Sequence, residues 1–316
     1  MRRTIELLFA VVAVTASSGC LVIEKKAMVM VVPADSKEVH LYYVFEGISV
    51  LENKNSSLEA ATGQLDEMKK DNFSFFVSDN GLDDSLVKHC GFEKLRFYSD
   101  PDRKRSLCAD RRMTIKDRQA FAKELNRMIA AALTDGGNEE DLRAKIRNAK
   151  SAAEDKEQRK NAEALGVGAL FQSVCTLTEL ADRLDQTSLK RIVNAGDEFA
   201  WVRFEPESVR LVIPATADCA KQIAGDQKSK EWLKKMTEFV EPIDLQVCDE
   251  GLAIVLGKKG QAIRLTYRDT RPHRPRDEEA LAKYAGSPEA ITLDGGKKAN
   301  AEKLIEQFVR EKTKKP

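Results

Sequence analysis

The sequence predicts an α+β body in which antiparallel sheets pack against helices. Three observations carry that prediction. Residues 39–50 alternate strictly, with Val39, Leu41, Tyr43 and Phe45 on one face and His40, Tyr42, Val44 and Glu46 on the other, the period of two that marks a strand. Phe121, Leu125, Met128, Ile129 and Ala132 recur at helical spacing, the stripe of a helix with one buried side. Successive strand-like runs near the C-terminal end are joined by short turns such as Asp249-Glu250-Gly251, which suits antiparallel neighbours rather than parallel strands with helical crossovers.

Residues 20–134 form an N-terminal α+β region. Strands are expected at 27–32 and 39–50, with Pro33-Ala34-Asp35-Ser36 as the turn between them. Asn55-Ser56-Ser57 caps a helix whose Leu58, Ala61, Leu65 and Met68 share a face. Phe73, Phe75 and Val77 alternate on a further strand, followed by the acidic loop Ser78–Asp84. Short strands are expected at 95–98 and 111–115. A helix over 116–134 follows, with Thr114 and Asp117 as its capping pair and Asp135-Gly136-Gly137 as its stop.

Residues 135–196 read as a helical, highly charged excursion. Positions 139–163 carry 14 charged side chains, and the apolar stripe Leu142, Ile146, Ala149, Ala153 gives way to Lys156 and Lys160. The spacing predicts a helix that packs at its start and then runs through solvent. Residues 164–196 return to an apolar helical pattern.

Residues 197–316 form a second α+β region. A hairpin is expected over 199–205 and 209–213, around Pro206-Glu207-Ser208. Helix follows over 216–240, broken at Gly225. Strands over 245–248, 252–256 and 261–267 then read as one antiparallel meander, solvated on one face through Arg264 and Thr266. Both regions fit the order β-β-α-β-β-β-α, so the fold reads as two similar halves joined by the charged segment. The stiff basic loop Arg271-Pro272-His273-Arg274-Pro275-Arg276 precedes a short helix, a strand over 290–293 and an amphipathic terminal helix with Leu304, Ile305, Phe308 and Val309 inward.

Charge excludes one function class. The chain has 52 basic and 51 acidic side chains, and setting aside residues 1–19, which hold Arg2, Arg3 and Glu6, leaves 50 of each. That balance lacks the basic footprint of a nucleic-acid binder. The six cysteines include no CxxC, so zinc ribbons and thioredoxin-like chemistry have no support. Cys90–Cys108 and Cys219–Cys248 are the candidate disulfides, Cys175 belongs to a helical stripe, and all five cysteines after Cys20 as reduced core residues is the alternative.

Motifs of catalysis are likewise missing from the sequence. His40, His89 and His273 form no HExxH or HxH pattern. The adjacent pair His89-Cys90 invites a base–nucleophile reading, but neighbouring side chains on an extended chain point apart. No GxSxG elbow is present. Gly257-Lys258-Lys259-Gly260 lacks the spacing of a phosphate loop and reads as a turn. The acidic loop with Asp79, Asn80, Asp83 and Asp84, helped by Asp100 and Asp102, offers oxygen ligands for calcium without the EF-hand pattern. No catalytic residue, cofactor-binding residue or metal ligand set is assigned.

The N-terminus carries the functional signal. Arg2 and Arg3 form a basic start, residues 7–16 an apolar run, and Ala16-Ser17-Ser18-Gly19 a small-residue approach to Cys20. Ten apolar residues are the length of an export signal, well short of the roughly 20 that span a bilayer. The segment Ala16–Cys20 resembles the lipobox of bacterial lipoproteins, with Ser17 where that family usually has Leu. The resemblance implies that residues 1–19 are removed and that Cys20 carries two or three acyl chains, which hold a protein at a membrane. In that family an Asp after the Cys marks retention at the inner membrane, so Leu21 implies a lean towards the outer one; the expected location is the cell membrane or the outer membrane, with the body facing the periplasm or the exterior. Val14-Thr15-Ala16 is an alternative cleavage site that would release a soluble periplasmic protein. The expected function is a lipid-anchored, non-enzymatic binding or structural component of the cell envelope, its partners the membrane and an envelope protein, with no nucleic acid and the oligomeric state left open. The rival readings are an exported hydrolase with a dispersed site and a soluble periplasmic binding protein.

Overall fold

The fold is described from a computed structural model, which covers residues 20–53, 56–70, 84–102, 106–134, 138–155, 179–196, 198–269, 271–286, 291 and 300–313. Among these residues it is α+β, with antiparallel sheets packed against helices. The expected strand at 73–77 falls outside the described residues, as do most of the acidic loop and all of the expected strand at 290–293 except Ile291, which packs against the smaller hydrophobic cluster.

The larger sheet is built on β1 (Leu21–Val31) and β2 (Val39–Val50), which pair antiparallel along their full length. Every residue of β2 is buried, because both faces of the sheet are covered. Leu41, Tyr43 and Phe45 enter the main core, and Tyr42 and Val44 enter a second cluster on the opposite face. At Gly47, with φ +67°, the strand changes face. The register against β5 (Leu107–Ile115) shifts there, so that Phe45 and Ile48 both reach the main core, as a bulge allows. The edge strands β3 (Cys90–Phe92) and β4 (Arg96–Ser99) both pair with β5.

Helix ends follow side-chain chemistry. α1 (Leu58–Lys70) opens where Ser57 Oγ accepts the Ala60 amide at 3.1 Å. The short α2 (Asp84–Val87) precedes β3. α3 (Arg118–Thr134) is capped by Asp117 alone, whose Oδ1 accepts the Gln119 and Ala120 amides, each at 3.0 Å. Thr114 is not the cap: it lies within β5, opposite His40. α4 (Glu139–Glu154) starts on Asn138, and its Leu142 is buried where it packs on α5 (Gln186–Val193). The charged excursion is therefore attached to the body at its start; residues 156–178 lie outside the described part.

The second sheet runs β6-β7-β10-β9, from β6 (Val202–Glu205), β7 (Ser208–Pro214), β9 (Ile243–Cys248) and β10 (Gly251–Leu256). α6 (Ala217–Gly225) and α7 (Gln227–Met236) connect β7 to β8 (Val240–Glu241), and Asp226 breaks them by capping the second helix through the Ser229 amide at 2.8 Å. The strand orders of the halves correspond: β1-β2-β5-β4 matches β6-β7-β10-β9.

The expected three-strand meander is corrected. β9 and β10 form a hairpin, but β11 (Ile263–Arg268) leaves for the larger sheet and pairs antiparallel with β1. The reason lies in the edges: β7 and β9 occupy both sides of β10, whereas β1 has β2 on one side only. The second region thus completes the first region's sheet. β1 also begins six residues before the expected position, directly after Cys20.

α8 (Glu278–Ala285) and α9 (Ala301–Thr313) close the chain. α9 covers the second face of β1 and β2 with Leu304, Ile305 and Phe308. Phe308 is 1% exposed and stacks on Tyr42 with ring centroids 5.0 Å apart. Truncating a buried aromatic removes both its transfer free energy and its packing. Phe308→Ala is expected to lower stability by about 3–5 kcal/mol in urea unfolding; a loss under about 1 kcal/mol would mean that α9 is not docked as described.

Candidate functional site

Cys20, the residue singled out by the sequence, stands half-buried at the start of β1. The chain around it is held on several sides. The Cys20 carbonyl accepts the Leu51 amide at 2.8 Å, and the Leu21 amide donates to Gln64 Oε1 at 3.2 Å. Leu21 and Ile23 are buried. The first residue after Cys20 is therefore already a core residue, and no loose linker separates Cys20 from the sheet.

The segment after β11 forms the other side of this end. Arg271 and Asp269 make a buried ion pair, their side chains 7% and 6% exposed. The guanidinium reaches Asp269 Oδ2 at 2.7 Å through Nη2 and also donates from Nη2 to the Leu21 carbonyl at 3.2 Å. A guanidinium suits this role because its donors are fixed in a planar fork. Beyond it, the Glu52 amide donates to the Pro272 carbonyl at 2.9 Å, the Arg274 amide to the Val50 carbonyl at 2.8 Å, and Arg274 Nη2 to the Asn53 carbonyl at 2.7 Å. The basic loop predicted from the sequence thus lies against Leu51 and Glu52, beside Cys20. Its Arg271 is buried, Arg274 is mostly covered, and the Arg276 side chain is 80% exposed.

Lys26 sits in the sheet near the ion pair and is 7% exposed. Burial pushes its amine down to about 8; Asp269 works against that shift and Arg271 adds to it. Its neighbour Lys25 points to the opposite face and pairs with Glu46 at 2.8 Å and Glu302 at 3.1 Å. Glu302 also binds Arg264, so the side of β11 expected to meet solvent is instead bridged to α9.

A second polar network lies under α9. The Tyr42 hydroxyl donates to Asp110 Oδ2 at 2.5 Å, and Arg96 donates to both Asp110 oxygens, at 2.9 and 2.5 Å. Burial and then the Asp110 charge hold the Tyr42 phenol well above its ordinary value. The Tyr98 hydroxyl is fully buried beside them and has no hydrogen-bond partner among the described residues. Phe308 closes over Tyr42, while the Arg96 side chain is 50% exposed, so the network reads as a polar layer of the core whose Arg96 end meets solvent.

The other residues considered from the sequence are not brought together. His40 contacts Thr114 at 3.3 Å, and His273 lies between Glu24 and Glu278 at 3.6 and 3.7 Å. The His89 carbonyl accepts the Lys116 amide, while burial pushes the Cys90 thiol up to about 12, the reverse of an activated nucleophile. The candidate disulfides are corrected: Cys90, Cys108, Cys219 and Cys248 form no disulfide. Cys90 pairs with Ile115 and Cys108 lies seven positions back along the same strand, which sets the two roughly 23 Å apart at 3.3 Å per residue. Gly257–Gly260 is a turn closed by a Lys258–Gln261 bridge. Asp79, Asn80 and Asp83 lie outside the described residues, and Asp100 and Asp102 serve a turn through Asp100 Oδ1 and the Asp102 amide at 2.8 Å. Among the described residues no group of three or more His, Cys, Asp or Glu side chains is placed to hold a metal, and no helix is long and apolar enough to cross a membrane.

The Arg271–Asp269 pair and the Tyr42–Asp110–Arg96 network were not found from the sequence. The available signal was weak: Asp269 stands two residues before Arg271, a spacing that lets a carboxylate cap the next turn as well as pair with it. No protein-family model matches the chain, and neither a curated protein nor a solved structure does.

Lys26 gives a pH test of this buried end. Its folded value, about 8, lies below the ~10.4 of an unfolded lysine. Below pH 8 both states hold the proton and the burial penalty is complete. From about 8 to ~10.4 the unfolded state binds more protons, so stability rises with pH. The stability difference between the parent and Lys26→Met is expected to move in the parent's favour as pH is raised from 7 to 10. Parallel urea titrations of the two proteins measure it; a gap independent of pH would place Lys26 in water.

Proposed function

We propose that this protein is a lipid-anchored component of the bacterial cell envelope, held through Cys20, whose body binds or braces another envelope component. The observation that carries the reading is the meeting of two boundaries. The basic start, apolar run and small residues of the sequence end at Cys20, and the sheet begins at Leu21. Cleavage before Cys20 would leave β1 whole from Leu21 and place the new terminus half-buried at the rim of the sheet. A thiol there is available to an acyl-transfer step that a residue deep in β1 would not permit.

The non-enzymatic part of the proposal is supported by how the perturbed groups are used. Lys26 lies within the buried end of the sheet, and Tyr42 and Asp110 are tied together beneath α9. A catalytic acid or base must reach its substrate within hydrogen-bonding distance, and these side chains are engaged by the fold itself.

The test is intact mass of the protein from the membrane fraction of a bacterial host, beside a Cys20→Ala variant. The expected mass begins at residue 20 with two or three acyl chains, and the variant moves to the soluble fraction. A mass that begins at Ser17 without lipid would overturn anchoring and support release into the periplasm.

A further inference from the structure

We infer that the end of the larger sheet bearing Cys20 is the surface set against the lipid headgroups, with Arg276 as its contact residue. This inference rests on the anchoring reading above and adds an orientation to it. A lipoprotein whose anchor is followed by flexible residues has no fixed face toward the bilayer; ten such residues let the body range over roughly 17 Å. Here there are none. The Cys20 carbonyl, the Leu21 amide and the Leu21 carbonyl are each hydrogen-bonded, to Leu51, Gln64 and Arg271. Acyl chains on Cys20 would therefore hold a rigid block, and the residues beside Cys20 would be pressed to the membrane plane.

Those residues are identified by backbone bonds. Leu51 bonds to Cys20 and forms a bridge with His273, and Glu52 bonds to Pro272. The segment 272–276 is thus carried to the rim at which Cys20 stands. Its Arg274 is fastened to Asn53 and its Arg276 side chain is 80% exposed. A guanidinium offers donors in a fork that matches phosphate oxygens, and headgroup phosphate is the chemistry present where the acyl chains enter. The turn after β1 lies at the other end of the strand, about 36 Å away for 11 residues at 3.3 Å each. Its Ala34 is exposed and serves as the distant control.

The experiment places a photoreactive p-benzoylphenylalanine at position 276 or at position 34 of the full chain, expressed with residues 1–19. The protein is reconstituted in phosphatidylethanolamine–phosphatidylglycerol vesicles and irradiated, and lipid adducts are read by intact mass. The expected result is an adduct at 276, none above background at 34, and a severalfold smaller adduct at 276 once a ten-residue Gly-Ser segment is inserted between Cys20 and Leu21. Acylated protein with no adduct at 276, or with equal adducts at both positions, would overturn the orientation while leaving anchoring intact. An adduct undiminished by the insertion would also overturn it. The same spectra report acylation, so a mass without acyl chains would overturn the anchoring reading and this one with it.

Discussion

The buried contact of Arg271 with Asp269 and with the Leu21 carbonyl is what makes the first strand a structural member rather than a loose end. β1 lies between β2 and β11, and β11 comes from the far end of the sequence. Recruiting a strand over so long a separation costs loop-closure entropy, although that cost grows only slowly with length. The ion pair fixes the chain immediately after β11 onto the first residue of β1, closing the circuit. Removing one partner alone would leave a charge buried without its counterion, which costs more than the pair itself contributes. The same guanidinium therefore ties together the two ends of the fold and the rim at which Cys20 stands.

Polar groups elsewhere follow the same logic. The sheet is covered on both faces, so polar side chains that fall between the layers must find partners there. Tyr42, Asp110 and Arg96 satisfy one another, and Lys25 and Arg264 meet Glu302 from α9. These bonds choose where the terminal helix lies along the sheet, since an apolar face alone would tolerate sliding. The picture is of a body stiffened on both sides of its main sheet.

Much of this was legible in the sequence wherever the determinants are local. β2 occupies the expected residues 39–50, and α1 starts where Ser57 caps it, within the predicted stretch Asn55-Ser56-Ser57. β1 extends beyond the expected 27–32 because Glu24, Lys25 and Lys26 interrupt its apolar pattern, and the groups that meet them, His273 for Glu24, Glu46 and Glu302 for Lys25 and Asp269 for Lys26, are remote in sequence. The meander failed for a related reason. Alternation in residues 261–267 announces a strand but not its neighbour, and the open edge of β1 outcompeted the occupied edges of β10. The candidate site divides in the same way. Cys20 was visible from the segment before it, whereas the clamp around it depends on contacts spanning 250 positions, as between Leu21 and Arg271.

The chain at Cys20 belongs to the folded core. Native-state hydrogen exchange tests it directly at the amides of Leu51, Glu52 and Arg274, which bond to Cys20, Pro272 and Val50. These amides are expected to exchange only through global unfolding, at the rate of central β2 amides such as Val44. Exchange at the rate of a frayed terminus, while Val44 stays protected, would contradict it and return Cys20 to a loose end.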